Sequence, residues 1–259
     1  MSSDNSAAYH IVIPARYDSE RLPGKVLLDL AGMPLLQHVW LRARESAAVS
    51  VVIATDDERI VRAAEGFGAE VVLTSPDHKS GSDRIAECAT KLAWPDEQLV
   101  VNLQGDEPLM PAACLDQVAM LLDQRPDCEV ASLYWPISDA AEVENPNAVK
   151  VVTDCNDRAL YFSRSTIPYA RSFGSIAKAM DEGVVWKRHL GLYAYRLAAL
   201  RHYTEAEQTP LESSERLEQL RIMEQGGRIA MASASEYIPA GVDTLEDLQR
   251  LRDSFECNN

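Results

Sequence analysis

Three cations crowd one short stretch of the chain: Arg16, Arg21 and Lys25, in the run P-A-R-Y-D-S-E-R-L-P-G-K. Phosphate oxygens need several donors converging from a fixed frame. Arginine supplies a planar two-pronged contact, and lysine a mobile point charge. The run follows Ile11-Val12-Ile13 and Pro14-Ala15, an apolar segment that reads as a buried strand of a parallel sheet. In an open α/β sheet, the loop leaving the carboxyl end of a first strand is where nucleotides bind. Positive charge gathered there suits a triphosphate; a solvated basic loop is the plainer alternative. The run is not a Walker A motif, because Val26 follows Gly24-Lys25 and no glycine stands five positions before Gly24. The chain also lacks G-x-G-x-x-G, which disfavours a dinucleotide fold.

Two acids offer a second kind of chemistry. Asp106 lies in Q-G-D-E-P, just past an apolar run that ends at Leu103. A hard cation such as Mg²⁺ takes one or two carboxylates together with phosphate oxygens and water, and a loop acid beyond a buried strand can supply one. The same residue could simply shape a turn before Pro108. Asp243 precedes Thr244, which with Asp247 makes a capping box, so helix capping accounts for an acid there. In H-K-S-G-S-D-R (78–84), Ser82 reads as a helix N-cap with Asp83 in the first turn.

The balance of charge makes the cationic loop more telling. The 259 residues carry 25 Lys+Arg against 40 Asp+Glu, a net charge of −15. A protein gripping a phosphate backbone would be basic overall, so nucleic acid is not the expected partner. The five cysteines (Cys88, Cys114, Cys128, Cys155, Cys257) are scattered and form no C-x-x-C pair, which argues against a zinc cage or a disulfide framework. Buried free thiols of a reducing compartment are expected. The polar N-terminus and the absence of a run of roughly 20 apolar residues point to a cytosolic protein without membrane insertion.

The elements that must position these residues alternate as βαβ units do. Strands are expected at 11–15, 51–55, 71–73 and 99–103, with helices at 34–47, from Asp57 to Gly68, around Ile85–Leu92, and at 112–124. The second half alternates more and is richer in aromatics. V-A-S-L-Y-W-P-I, A-V-K-V-V-T-D, A-L-Y-F-S-R and G-L-Y-A-Y-R (191–196) read as mixed or antiparallel strands. S-S-E-R-L-E-Q-L-R-I-M-E-Q-G-G reads as one amphipathic helix, I-A-M-A-S-A as a late strand, and the segment after Thr244 as a final helix. The expected organisation is a nucleotide-binding α/β domain over 8–135 plus 211–255, interrupted by a smaller inserted subdomain over 136–210.

The cationic loop, H-K-S-G-S-D-R, N-L-Q-G-D-E-P, N-P-N-A-V-K-V-V, A-L-Y-F-S-R, R-H-L-G-L-Y-A-Y-R, L-E-S-S-E-R-L-E-Q-L-R and G-V-D-T-L-E-D-L together resemble the 3-deoxy-manno-octulosonate cytidylyltransferase family, over residues 10 to 252. Any one motif alone is weak; their order and spacing are specific. The resemblance implies a Rossmann-like nucleotidyltransferase fold of the nucleotide-diphospho-sugar transferase type, with a smaller mixed-sheet subdomain. It implies a Mg²⁺-dependent homodimer that couples CTP to 3-deoxy-D-manno-octulosonate (Kdo), releasing pyrophosphate and feeding lipopolysaccharide assembly. It assigns Asp106 and Asp243 to the metal. Arg16, Lys25, Asp106, Asp243 and Arg84 become catalytic, Arg84 near the transferred phosphoryl. Pro14, Ala15, Arg16, Lys25, Ser80, Gly81 and Asp106 border the nucleotide, and Gln104, Arg164, His189, Tyr193 and Glu212 surround the sugar acid. In that set Arg164 would clamp the carboxylate, and Gln104 and Glu212 would bind hydroxyls. Alternatives are CMP activation of 8-amino-Kdo or sialic acid, or a glycosyltransferase of similar sheet architecture. The last usually carries Asp-x-Asp, whereas the acids here are adjacent, Asp106-Glu107.

Overall fold

Alternate residues of the first strand feed two different cores, which is why the segment reads as continuously apolar. Ile11 and Ile13 face one cluster with Val51, Ile53, Leu36, Val39, Leu115 and Val118. Val12 faces the other, with Val52, Ala54, Val100, Ile85, Ala89, Leu197 and Leu200. A sheet covered by helices on both faces has no solvated side to be polar on.

The structure, a computed structural model, describes residues 8–18 and 22–257; Arg21 of the cationic loop lies outside the described residues. Along the chain, β1 (Tyr9–Ala15) leads through a 3₁₀ turn (Lys25–Leu27) to a small hairpin, β2 (Asp29–Leu30) and β3 (Met33–Pro34). Then come α1 (Leu35–Arg44), β4 (Ser50–Thr55), α2 (Glu58–Gly66), β5 (Glu70–Leu73), α3 (Gly81–Lys91), β6 (Leu99–Asn102) and α4 (Ala112–Asp123). The second half runs β7 (Val130–Pro136), α5 (Ala140–Glu144), β8 (Lys150–Thr153), β9 (Ala159–Ser163), α6 (Ile176–Asp181), β10 (Lys187–Arg196) and α7 (Leu197–Glu205). It closes with α8 (Pro210–Glu215), α9 (Gln219–Glu224), β11 (Ile229–Ser233) and α10 (Leu245–Cys257).

Among the described residues, the main sheet holds nine strands, with the path β5-β4-β1-β6-β10-β7-β11 and the β8–β9 hairpin attached to β10. β1 pairs in parallel with β4 and with β6, Val12 standing opposite Val52 on one side and Asn102 on the other. That reversal of strand order opens a crevice beyond the carboxyl ends of β1 and β6. β10 is antiparallel to both β6 and β7.

This placement corrects the expected domain boundaries. β10 falls inside the proposed insertion at 136–210, yet it runs through the middle of the main sheet. What stands apart is smaller: α5 and α6, around a satellite core of Ile137, Val143, Ala179 and Trp186, whereas Val151 and Phe162 of the β8–β9 hairpin pack in the same core as Val12. The helix expected at 34–47 ends at Arg44. The single helix expected after Ser213 is two, because Arg216 adopts a left-handed conformation at φ 52°. Among the described side chains, Cys88, Cys114 and Cys128 are buried as expected and Cys155 is exposed; the Cys257 side chain lies outside them. No helix among the described residues is long and apolar enough to cross a membrane.

Candidate active site

The crevice is built by backbone segments that approach one another more closely than side chains permit. A Cβ on Gly81, the first residue of α3, would stand 3.2 Å from the Pro14 ring and 3.7 Å from the Gln104 amide. One on Gly105 would stand 3.2 Å from the Pro14 carbonyl. These two glycines let the start of α3 and the loop after β6 close around the end of β1. Ser80, not Ser82, caps α3: its hydroxyl accepts from Asp83 N–H and Asp83 bonds back to Ser80 N–H, a capping box set two residues earlier than expected. The first N–H groups of a capped eleven-residue helix favour an anion at that end.

The cavity enclosed there has a volume of about 470 Å³. Of the expected nucleotide residues, Pro14, Ala15, Arg16, Ser80 and Gly81 line it. Arg16 is exposed, and its guanidinium has no ion-pair partner among the described residues. Arg84 also reaches the cavity wall, but it is buried and committed: it donates to Asp56 at 2.8 Å and to the Thr74 hydroxyl at 2.5 Å. It therefore ties α3 to the ends of β4 and β5.

Asp106 and Asp243, far apart in sequence, converge on one ammonium. Lys25 Nζ donates to Asp106 Oδ2 at 2.6 Å and to Asp243 Oδ1 at 3.3 Å. Lys25 was expected on a triphosphate; the structure aims it at the two carboxylates. Gly24, at φ 69°, turns the chain into the 3₁₀ segment that presents it, in a left-handed conformation natural to glycine. The return segment docks by a backbone bond, Val242 N–H to the Asp106 carbonyl at 2.8 Å, and a Cβ on Gly241 would stand 3.0 Å from that same oxygen. The expected capping also holds, since Thr244 and Asp247 bond each other at the head of α10.

No group of three or more His, Cys, Asp or Glu forms a complete protein cage among the described residues. Two carboxylates gathered on a single cation are nevertheless the donor set Mg²⁺ accepts when phosphates and water complete its shell, so the residues fit that ion. Beside Asp106, burial together with the Asp106 charge pushes the Glu107 carboxyl up to about 8, and its Oε2 is buried without a partner.

The sugar-acid set divides. Gln104, His189 and Tyr193 line the cavity, joined by Gly191 and Tyr195 at alternate positions of β10. Asn102 Oδ1 holds the Gln104 amide at 3.0 Å, and the Ser132 hydroxyl lies 3.1 Å from His189 Nε2. Burial pulls His189 down to about 3, so its ring is neutral at physiological pH, with one donor and one acceptor nitrogen.

Arg164 and Glu212 do not line this cavity. The Arg164 guanidinium donates to the backbone carbonyls of Glu215, Pro146 and Arg216. Glu212, 3% exposed, is gripped by Arg221 through two bonds at 2.7 and 2.5 Å. In their place stand residues of the break between α8 and α9: Arg216, Glu218 and Gln219, with Tyr203 behind them. Gln219 is 6% exposed and its Nε2 has no partner. The motif L-E-Q-L-R carried this signal, but its acid and amide read as the polar face of a continuous helix.

An open α/β sheet with a cation-rimmed cavity at its strand-order reversal and paired acids beside it defines a nucleotide-handling enzyme, and a family model described as Cytidylyltransferase matches residues 10–229. Relatives named 3-deoxy-manno-octulosonate cytidylyltransferase extend the likeness. The Pseudomonas fluorescens protein is 50% identical over 97% of this chain and 100% of its own length. That of Pseudomonas syringae pv. tomato is 51% identical over 97% and 100%, and that of Francisella philomiragia 48% over 95% and 98%. Among solved structures, a CMP:2-keto-3-deoxy-manno-octonic acid synthetase complexed with CTP superposes with a TM-score of 0.89 at 39% identity, covering 98% of this chain and all of that one. A cytidylyltransferase from Leptospira borgpetersenii, 18% identical with a TM-score of 0.61, shares the fold. The chain belongs to the 3-deoxy-manno-octulosonate cytidylyltransferase family.

Proposed function

We propose that this chain activates Kdo for lipopolysaccharide assembly: CTP and Kdo give CMP-Kdo and pyrophosphate. The observation that carries this reading is the meeting of Asp106 and Asp243 on one cation, beside a cavity walled by both the nucleotide loop and the expected sugar residues Gln104, His189 and Tyr193. The anomeric hydroxyl attacks the α-phosphorus in line, the new O–P bond forms as the hydroxyl proton is lost, and the bond to pyrophosphate breaks. Such transfer asks little covalent chemistry of side chains, so positioning and charge neutralisation dominate.

Arg16 and the amino end of α3 receive the phosphates at the mouth of the cavity. Gln104, fixed by Asn102, and neutral His189, set against Ser132, offer the sugar directed donors and acceptors. The Gln219 amide supplies a further buried donor, which a sugar hydroxyl or carboxylate satisfies. Asp106 and Asp243 would hold Mg²⁺; when bound, the ion neutralises charge on the phosphates and lowers the pKa of the attacking hydroxyl.

We further propose that the enzyme works as a homodimer in the cytoplasm. Pyrophosphate release measured across four nucleotides and with Kdo, 8-amino-Kdo and sialic acid tests the substrate assignment. CTP with Kdo is expected to be the preferred pair. Preference for another sugar acid, or sugar transfer from a nucleotide sugar without pyrophosphate release, overturns it. Sedimentation of the purified chain at micromolar concentration checks the dimer, and loss of turnover with EDTA, restored by Mg²⁺, checks the metal.

A further inference from the structure

We infer that Lys25 is a built-in competitor for the divalent-ion site, so that metal binding depends on the nucleotide. The inference rests on the metal assignment above and goes beyond it. Lys25 Nζ lies 2.6 Å from Asp106 Oδ2 and 3.3 Å from Asp243 Oδ1, and the lysine is 9% exposed. An ion shared by those two carboxylates needs the space the ammonium fills. Two cations crowded against the same pair of carboxylates repel, so one displaces the other.

The ammonium is held from a defined frame. Gly24 N–H donates to the Tyr17 carbonyl at 2.8 Å, and Leu27 and Leu28 close the 3₁₀ turn on Gly24 and Lys25. The four-carbon stem nonetheless leaves the charge mobile, and triphosphate oxygens offer it a second partner. A nucleotide that draws Lys25 away therefore vacates the carboxylates as it brings phosphate oxygens to complete the metal shell. Nucleotide and metal then bind with positive coupling, each strengthening the other by the same factor. Without nucleotide, Lys25 neutralises part of the charge of two neighbouring carboxylates and keeps adventitious divalent ions off them.

Free Mn²⁺, followed by its electron paramagnetic resonance signal, tests this without any turnover. The full-length chain, Lys25→Met, Lys25→Gln and Asp243→Asn are titrated with Mn²⁺, each with and without CTP and always without sugar. Two lysine variants are used so that a folding defect in one does not decide the result, and thermal unfolding is recorded for each. The expected result is that both lysine variants bind Mn²⁺ without CTP at least about tenfold more tightly than the unaltered chain. CTP should improve Mn²⁺ affinity less in the lysine variants than in the unaltered chain. Equal affinities in the unaltered chain and the lysine variants, with binding lost in Asp243→Asn, overturn the competition while leaving the metal assignment standing. Absence of Mn²⁺ binding in every protein, with CTP present as well, overturns both.

Discussion

A buried donor with no acceptor is costly at the scale of one residue, and Gln219 carries one: its Nε2 is unpartnered while the residue lines the cavity. Desolvating an amide without a hydrogen bond costs roughly 1–3 kcal/mol, a penalty retained where a ligand satisfies the group. Gln219→Leu is therefore expected to raise folding stability by about 1 kcal/mol while raising the KM for the sugar acid about tenfold, with the KM for CTP little changed. Urea unfolding and steady-state kinetics on the same preparation check both halves. A variant that loses stability and keeps its KM contradicts the role given to this amide. Single residues were legible in the sequence where they act through the local chain. Arg16 follows a strand, and Asp106 follows another. Gln219 was not legible, because its role depends on where the helix around it breaks.

That break is a matter of elements. Arg216 has no glycine or proline beside it to announce a left-handed turn, a conformation that costs a non-glycine residue roughly 1–2 kcal/mol. Contacts from the β8–β9 hairpin offset the strain. Arg164 donates to the Glu215 carbonyl at 2.7 Å and to the Arg216 carbonyl at 3.4 Å, while Glu215 accepts from the Ser163 hydroxyl and from Arg164 N–H. Local periodicity spoke for a continuous helix, and tertiary hydrogen bonds overrode it. Glu212 is fastened separately, by Arg221, and an arginine and an acid in motifs of this kind serve as internal fasteners as readily as they bind a substrate. Arg164→Ala is expected to lower stability by about 2 kcal/mol and to raise the sugar KM, because the segment bearing Glu218 and Gln219 loses its anchor. A residue that only clamps a substrate carboxylate leaves stability unchanged when truncated, so thermal unfolding of the free enzyme separates the two roles.

At the scale of the whole molecule, strand order does the main work. The parallel half was legible because strands covered on both faces read as apolar runs: Ile11 to Ile13, Val51 to Ala54 and Leu99 to Val101 all do. The position of β10 was not, since an alternating segment such as Gly191–Arg196 looks alike in a satellite sheet and in the middle of a mixed one. Because β10 is central, the neutral histidine it carries is coupled to global unfolding. His189 titrates near 3 when folded and near 6.5 when unfolded, so between those values the unfolded chain binds more protons and stability rises with pH. Stability is accordingly lost as pH falls below 6.5. His189→Gln should lose about 2 kcal/mol less than the unaltered chain between pH 6.5 and 4.5, as measured by urea unfolding at the two pH values.

The joint action of Asp106 and Asp243 on one divalent ion is most directly tested by pyrophosphate release from CTP and Kdo at saturating Mg²⁺, in Asp106→Asn and Asp243→Asn. Each substitution is expected to lower kcat by about a thousandfold or more, several kcal/mol of lost charge stabilisation, with the thermal transition kept. Most of the rate surviving in either variant would contradict the account.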